Sequence, residues 1–142
     1  MIQTEKDIAA PIDSVWQHLL NAEEWTQWNK RQSFQVNALE QGEGIIFINQ
    51  QEWKKEPIEI EKAEEYTLQW TGYSFIWNYR EIYKLQAINT SITRLTHERE
   101  YYGYLATILS WFGYLLIDEK QVKEEMQEVN HDFKLYCEAN KN

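Results

Sequence analysis

The sequence predicts an α+β domain. A curved antiparallel sheet of about seven strands wraps round a long C-terminal helix, and two short helices follow the first strand. Three observations predict it. Helical periodicity is confined to residues near the start and to the stretch after about residue 104. Between them lie short runs of alternating apolar and polar residues. Aromatic residues make 15% of the chain, with seven Trp, nine Tyr and five Phe, which suits strands and pocket walls. Helices grouped at the ends of an antiparallel sheet mark an α+β domain.

Each element has its own warrant. Ile2 to Ala9 reads as the first strand, and Pro11, with its fixed φ, starts a helix. Ile12, Val15, Trp16, Leu19 and Leu20 recur at helical spacing as one apolar face, which ends at Asn21. A second short helix, Ala22 to Trp28, carries Trp25 and Trp28 three apart. Phe34, Val36 and Ala38 then alternate as a strand, and Gly42 and Gly44 punctuate the turn after it. Ile45 to Ile48 is a continuous apolar run. Glu56 to Ala63 alternates through Ile58 and Ile60, and Tyr66, Leu68 and Trp70 alternate with polar neighbours. Phe75, Trp77, Tyr79, Tyr83 and Leu85 share one parity over a long strand. Asn89-Thr90-Ser91 turns it into a last strand through Thr93, Leu95 and Tyr101. The remainder is helical. Leu105, Ile108, Leu109, Phe112, Leu115 and Leu116 form one face, and Val122, Met126, Val129, Phe133 and Tyr136 continue it, with Gly113 as a point of bending or division.

The chain has 142 residues, the usual size of one domain, so residues 1–142 read as a single unit. Such a chain buries roughly two thirds of its unfolded surface and needs neither metal nor disulfide to hold a core. The single cysteine, Cys137, forms no internal disulfide, which fits a reducing, cytoplasmic compartment. The polar start lacks the order of a secretory signal, and the apolar stretch Tyr104 to Ile117 is shorter than the ~20 residues of a membrane span. The net charge of −9 argues against nucleic acid and against an anionic membrane surface as partners.

The segment Ile8-Ala9-Ala10-Pro11-Ile12-Asp13-Ser14-Val15-Trp16-Gln17-His18-Leu19-Leu20 resembles the opening of the START-related, birch-pollen-allergen-like (SRPBCC) superfamily, in its polyketide cyclase/dehydrase-like branch. Trp25 and Trp28 resemble the tryptophans of that family's second helix. Ser91-Ile92-Thr93-Arg94-Leu95-Thr96 resembles the start of its final strand, without the usual glycine before the threonine. Phe133-Lys134-Leu135-Tyr136-Cys137-Glu138 resembles the end of its terminal helix. The resemblance covers essentially the whole chain. It implies a helix-grip fold with a cavity between sheet and helix, and leaves open what the cavity holds, since one fold hosts many activities.

His18, His97 and His131 share no metal-ligand spacing, and one cysteine allows no CxxC pair, so no metal and no cofactor is expected. No phosphate-binding glycine loop or nucleophile elbow occurs, and Ser14 in the first helical turn reads as structural. The last hairpin is richer. If Tyr79, Tyr83 and Leu85 face the cavity, Glu81 does too. If Leu95 and Tyr101 face inward, so do His97 and Arg99. The turn sets Glu81 opposite either His97 or Arg99, at the ~5 Å of a cross-strand pair. A structural ion pair and a ligand site both fit that pattern. With the resemblance, the expected cavity walls are Leu68, Trp70, Trp77, Tyr79, Glu81, Tyr83, Leu95, His97, Arg99 and Tyr101, with Leu109 and Phe112 from the helix. They should enclose roughly 300 Å³ or more. The leading expectation is binding or transport of a small hydrophobic molecule, of lipid, aromatic or polyketide-like kind. The alternatives are a cyclase/dehydratase-like enzyme with Glu81 and His97 as acid and base, and a protein-interaction module of the Hsp90-activator-like type with a closed core.

Overall fold

The computed structural model describes residues 1–35, 39, 42–48, 51–61, 64–73, 78–103, 107–108, 111 and 118–141, without the side chains of 51–54. Strand β1 (Ile2–Ile8) leads into helix α1 (Ile12–Leu20), a 3-10 turn (Ala22–Glu24) and the one-turn helix α2 (Trp25–Trp28). Strands β2 (Gln32–Gln35), β3 (Gly42–Ile48), β4 (Gln51–Ile60), β5 (Thr67–Tyr73), β6 (Asn78–Ala87) and β7 (Thr93–Tyr102) follow, and helix α3 (Glu119–Ala139) closes the chain. The strands form one antiparallel sheet in the order β1-β7-β6-β5-β4-β3-β2. This is the helix-grip α+β architecture.

The sheet curls. In a flat sheet β2 and β6 would lie ~19 Å apart, four strand spacings. Instead the Gln32 side-chain amide on β2 donates to Glu81 on β6 at 3.1 Å. An aromatic nucleus fills the curve. The Trp25 ring lies 4.4 Å from Trp28, 4.7 Å from Phe34, 5.6 Å from Tyr83 and 5.8 Å from Trp70, and its indole N–H donates to the Leu19 carbonyl at 2.9 Å. Val15 and Leu19 of α1 are fully buried against this core, with Ile12, Trp16 and Leu20 partly so. Pro11 occupies the extended N-cap of α1, where a missing N–H costs nothing. The Thr93 hydroxyl fastens β7 to that corner by donating to the Ala10 carbonyl at 2.8 Å.

Helix α3 begins at Asp118, which is extended and accepts from the Gln121 N–H. The helical pattern therefore breaks at Asp118, and Gly113 lies outside the described residues, as does most of the 104–117 stretch. Its buried stripe is Met126, Val129, Asn130, Phe133 and Cys137. The two ends are tied differently. At the C-terminal end, Ala9 N–H donates to Glu138 at 2.8 Å, and His18 donates from Nε2 to the Asn140 carbonyl at 2.7 Å while its Nδ1 meets the Glu24 carboxylate at 2.8 Å. At the N-terminal end, Arg31 pairs with Glu125 at 3.5 Å and Glu128 at 3.3 Å, all partly exposed.

Four local expectations are corrected. Gly42 and Gly44 lie inside β3, not in a turn; Gly42, at φ 117°, pairs with Ile60 and starts the strand. Strand β4 begins at Gln51, well before Glu56, and its pairing with β3 shifts register between Phe47 and Ile48. The second helix is split between a 3-10 turn and α2. Tyr66 is a turn residue: Glu65 and Tyr66 both take positive φ, 53° and 61°, between Glu64 and Thr67, which exchange backbone hydrogen bonds. Its ring docks on Trp16 at 5.8 Å and its hydroxyl donates to Asp13 at 2.6 Å. Val36, Ala38 and Phe75 lie outside the described residues.

Candidate functional site

Glu81 stands in mid-β6, opposite Trp70 on β5 and Arg99 on β7, and the next inward pair is Tyr83 with His97. The period of two along a strand therefore sets a carboxylate, an imidazole and a guanidinium on one concave face. Glu81 is fully buried. Its Oε1 accepts from Arg99 at 2.7 Å and meets His97 Nε2 at 2.7 Å, and its Oε2 accepts from Gln32 at 3.1 Å. Burial pushes this carboxyl upward, but the Arg99 charge and the His97 hydrogen bond outweigh it and hold it at about 2.

His97 is 1% exposed and its ring lies nearly parallel to Tyr83 at 4.0 Å. Its Nδ1 meets the Asn130 side-chain oxygen at 2.9 Å. The orientation of Asn130 follows from Thr4, whose hydroxyl donates to the His97 carbonyl at 3.3 Å and accepts from the Asn130 amide nitrogen at 2.7 Å. Both ring nitrogens of His97 are thus engaged in hydrogen bonds. Arg99 gives its other terminal nitrogen to the Tyr101 hydroxyl at 3.3 Å, and its Nε is buried with no partner. Burial draws the Arg99 charge down, but Glu81 beside it raises it above the ordinary arginine value.

Between β2, β3, β7 and the first turns of α3 lies a recess of about 210 Å³. Arg31, Gln32, His97, Arg99 and Glu125 form its polar side, and Ile48, Met126 and Val129 its apolar side. This differs from the cavity expected in both size and walls. Leu68, Trp70, Tyr83 and Leu95 are fully buried in the filled aromatic core, and none of them lines the recess. The reason is that α2 inserts Trp25 and Trp28 into the curve of the sheet, where Trp25 meets Trp70 and Tyr83 edge-on. Tyr79 is buried elsewhere on the same face, its ring lying over Gly72, where a Cβ would come within 2.2 Å of it. Tyr101 packs partly buried at its edge. Of the expected walls among the described residues, only His97 and Arg99 line the recess, with Glu81 directly behind them. Trp77, Leu109 and Phe112 lie outside the described residues.

The sequence reading missed Arg31, Gln32, Thr4, Met126, Val129, Ile48, Glu125 and Asn130 as parts of this arrangement. Asn130 alone carried a usable signal: it is a polar residue inside the apolar stripe Met126, Val129, Phe133, Cys137, where an amide must find partners. Among the described residues no three His, Cys, Asp or Glu side chains converge to hold a metal ion. Cys137 is buried and burial pushes its thiol up to about 12, which removes it as a nucleophile. No helix among the described residues is long and apolar enough to cross a membrane.

The family model described as polyketide cyclase / dehydrase and lipid transport matches residues 1–138. Solved structures share the fold at low identity. DynU16, from the dynemicin biosynthetic locus, superposes with a TM-score of 0.74 at 15% identity, over 99% of this chain and 48% of its own. The di-domain ARO/CYC StfQ of the steffimycin biosynthetic pathway gives 0.70 at 14% identity, over 97% and 44%. This chain therefore spans about half the length of each. A START superfamily protein from Mycobacterium smegmatis gives 0.67 at 10% identity, over 97% of this chain and 94% of its own. A search of curated proteins finds no match.

Proposed function

The chain belongs to the polyketide cyclase / dehydrase and lipid transport family, and from that premise we propose that it binds a small, mainly apolar molecule with one polar end, seated in the recess between β7 and α3. The family is associated with hydrophobic ligands, and the observation that carries the reading is the two-sided lining. Ile48, Met126 and Val129 face a wall of hydrogen-bonding groups held rigid from behind by Glu81. That is the composition of a small-molecule site, apolar with a few fixed polar anchors. At about 210 Å³ the recess suits a molecule smaller than the usual drug-sized ligand.

The acid/base reading of Glu81 and His97 draws no support from this geometry. Glu81 already accepts from three groups and stays ionised far below neutrality, and both nitrogens of His97 are engaged. A general base needs a free lone pair within reach of substrate. The filled aromatic core favours a second reading, a protein-interaction module, and Trp111, 81% exposed, would be its contact residue. A fragment screen by amide-detected NMR separates the two. Small apolar molecules bearing one polar group should shift Gln32, His97, Met126 and Val129 saturably. A screen in which no fragment, charged or neutral, moves those residues would sink the binding reading.

A further inference from the structure

The outer, convex face of the sheet carries an arrangement unrelated to the recess. Side chains alternate along a strand, and Ile46, Ile58 and Ile60 are buried on the inner face. The registered pairs of β3 and β4 that share the outer face are therefore Glu43 with Glu59, Ile45 with Pro57, and Phe47 with Lys55. Glu43 and Glu59 are exposed acids set directly opposite each other, an unfavourable cross-strand pair. Glu59 accepts from the Tyr73 hydroxyl at 3.4 Å. Among the described residues no cation pairs with either acid, and no carboxylate pairs with Lys55. An open groove of about 540 Å³ runs from the two acids over Ile45 and Pro57 to the ring of Tyr73, which is 41% exposed. Phe47 and Lys55 stand outside it, at the other end of the same two strands. One end of this face is thus acidic and hollow, the middle is apolar, and the far end holds the cation.

We propose that two copies of the chain meet on this face, about a two-fold axis that lies in the interface and crosses the strands. Such an axis turns β3 and β4 end for end. Lys55 of the second copy then stands over Glu59, with Glu43 beside it, and Phe47 of the second copy packs at the acidic end of the groove. The row of Ile45, Pro57 and Tyr73 lies along the axis and meets its own copy, as a self-complementary patch requires. An axis along the strands would instead stack Glu43 on Glu59. The net charge of −9 opposes the approach of two copies, but physiological salt confines that repulsion to about 8 Å, and the Lys55 contact acts at shorter range. Two convex faces touch over few strands, so the association is weak.

Sedimentation velocity of the full chain from about 10 μM to about 1 mM spans the range of such a dimer. Wild type should pass from monomer to dimer across it. Lys55→Glu and Glu59→Lys, each at an exposed position, should each weaken the dimer about tenfold, because each sets like charges across the axis. A one-to-one mixture of the two variants should regain wild-type association, since every contact across the axis then joins a Glu to a Lys. A wild type that stays monomeric throughout overturns the proposal. Single variants that associate as tightly as wild type overturn it too, as does a mixture that associates no better than its components.

Discussion

Glu81 makes the stability of this protein depend on acid. Burial raises its carboxyl, and Arg99 and His97 more than reverse that, leaving it at about 2. Its value in the unfolded chain is ~4.3. The unfolded state therefore binds the proton first as pH falls, and the folded state loses ground between those values. The contribution is fully present above about pH 4.5 and is lost as pH falls through 2, a change on the order of 3 kcal/mol. Urea unfolding of wild type and Glu81→Gln at pH 7, 4.5, 3 and 2 measures it. The wild type should lose stability on acidification, and the variant should start lower and change less. Parallel curves for the two proteins would mean that Glu81 is not the group responsible. At this scale much was legible. Parity alone set Glu81, His97 and Arg99 on one face, because the side-chain period of a strand is fixed. Their long-range partners were not. Thr4 lies 93 positions from His97 and Asn130 lies 33 away, and no local pattern encodes such distances.

Among the described residues, the β4–β5 connection holds the backbone strain of non-glycine residues at positive φ. Two consecutive non-glycine residues, Glu65 and Tyr66, hold left-handed φ. That conformation costs an ordinary side chain about 1–2 kcal/mol, and two-residue hairpin turns usually carry Asn or Gly there. Tyr66 offsets its share by docking on Trp16 and Asp13. Among the described residues, no side-chain contact of Glu65 does the same. Glu65→Asn should therefore stabilise the protein by about 0.5–1 kcal/mol, read as a rise in the urea midpoint at unchanged slope. A midpoint equal to or below wild type would show that the turn is not limiting. The strand sequence around it was legible except for this turn, since Tyr66 keeps the alternation of Leu68 and Trp70 and carries no turn residue's chemistry. The glycines misled in the opposite direction. Gly42 and Gly44 look like turn markers, yet β3 uses Gly42 for its positive φ at the strand's first residue.

For the whole molecule, the element order in the sequence carried the fold, because helical and strand periods separate cleanly along this chain. The cavity was not legible in the same way. Whether an aromatic lines a space or fills it depends on what arrives from the other side, and here Trp25 and Trp28 arrive from α2. The unequal fastening of α3 has a consequence in time as well as in space. Its C-terminal end is locked by Ala9 and His18, whereas among the described residues the hydrogen bonds and ion pairs that tie its first turns to the rest of the fold run through Arg31, beside the buried Met126. Such a helix breathes from one end, and regions with few buried contacts open most cheaply. Hydrogen exchange followed by mass spectrometry should show amides at Val122–Met126 exchanging roughly tenfold faster or more than those at Phe133–Cys137. Uniform protection along the helix would refute it. The recess lies under the loose end, between Glu125, Met126 and Val129. The rate at which a molecule enters or leaves would then be set by the opening rate of those turns, and not by its affinity for the floor beneath them.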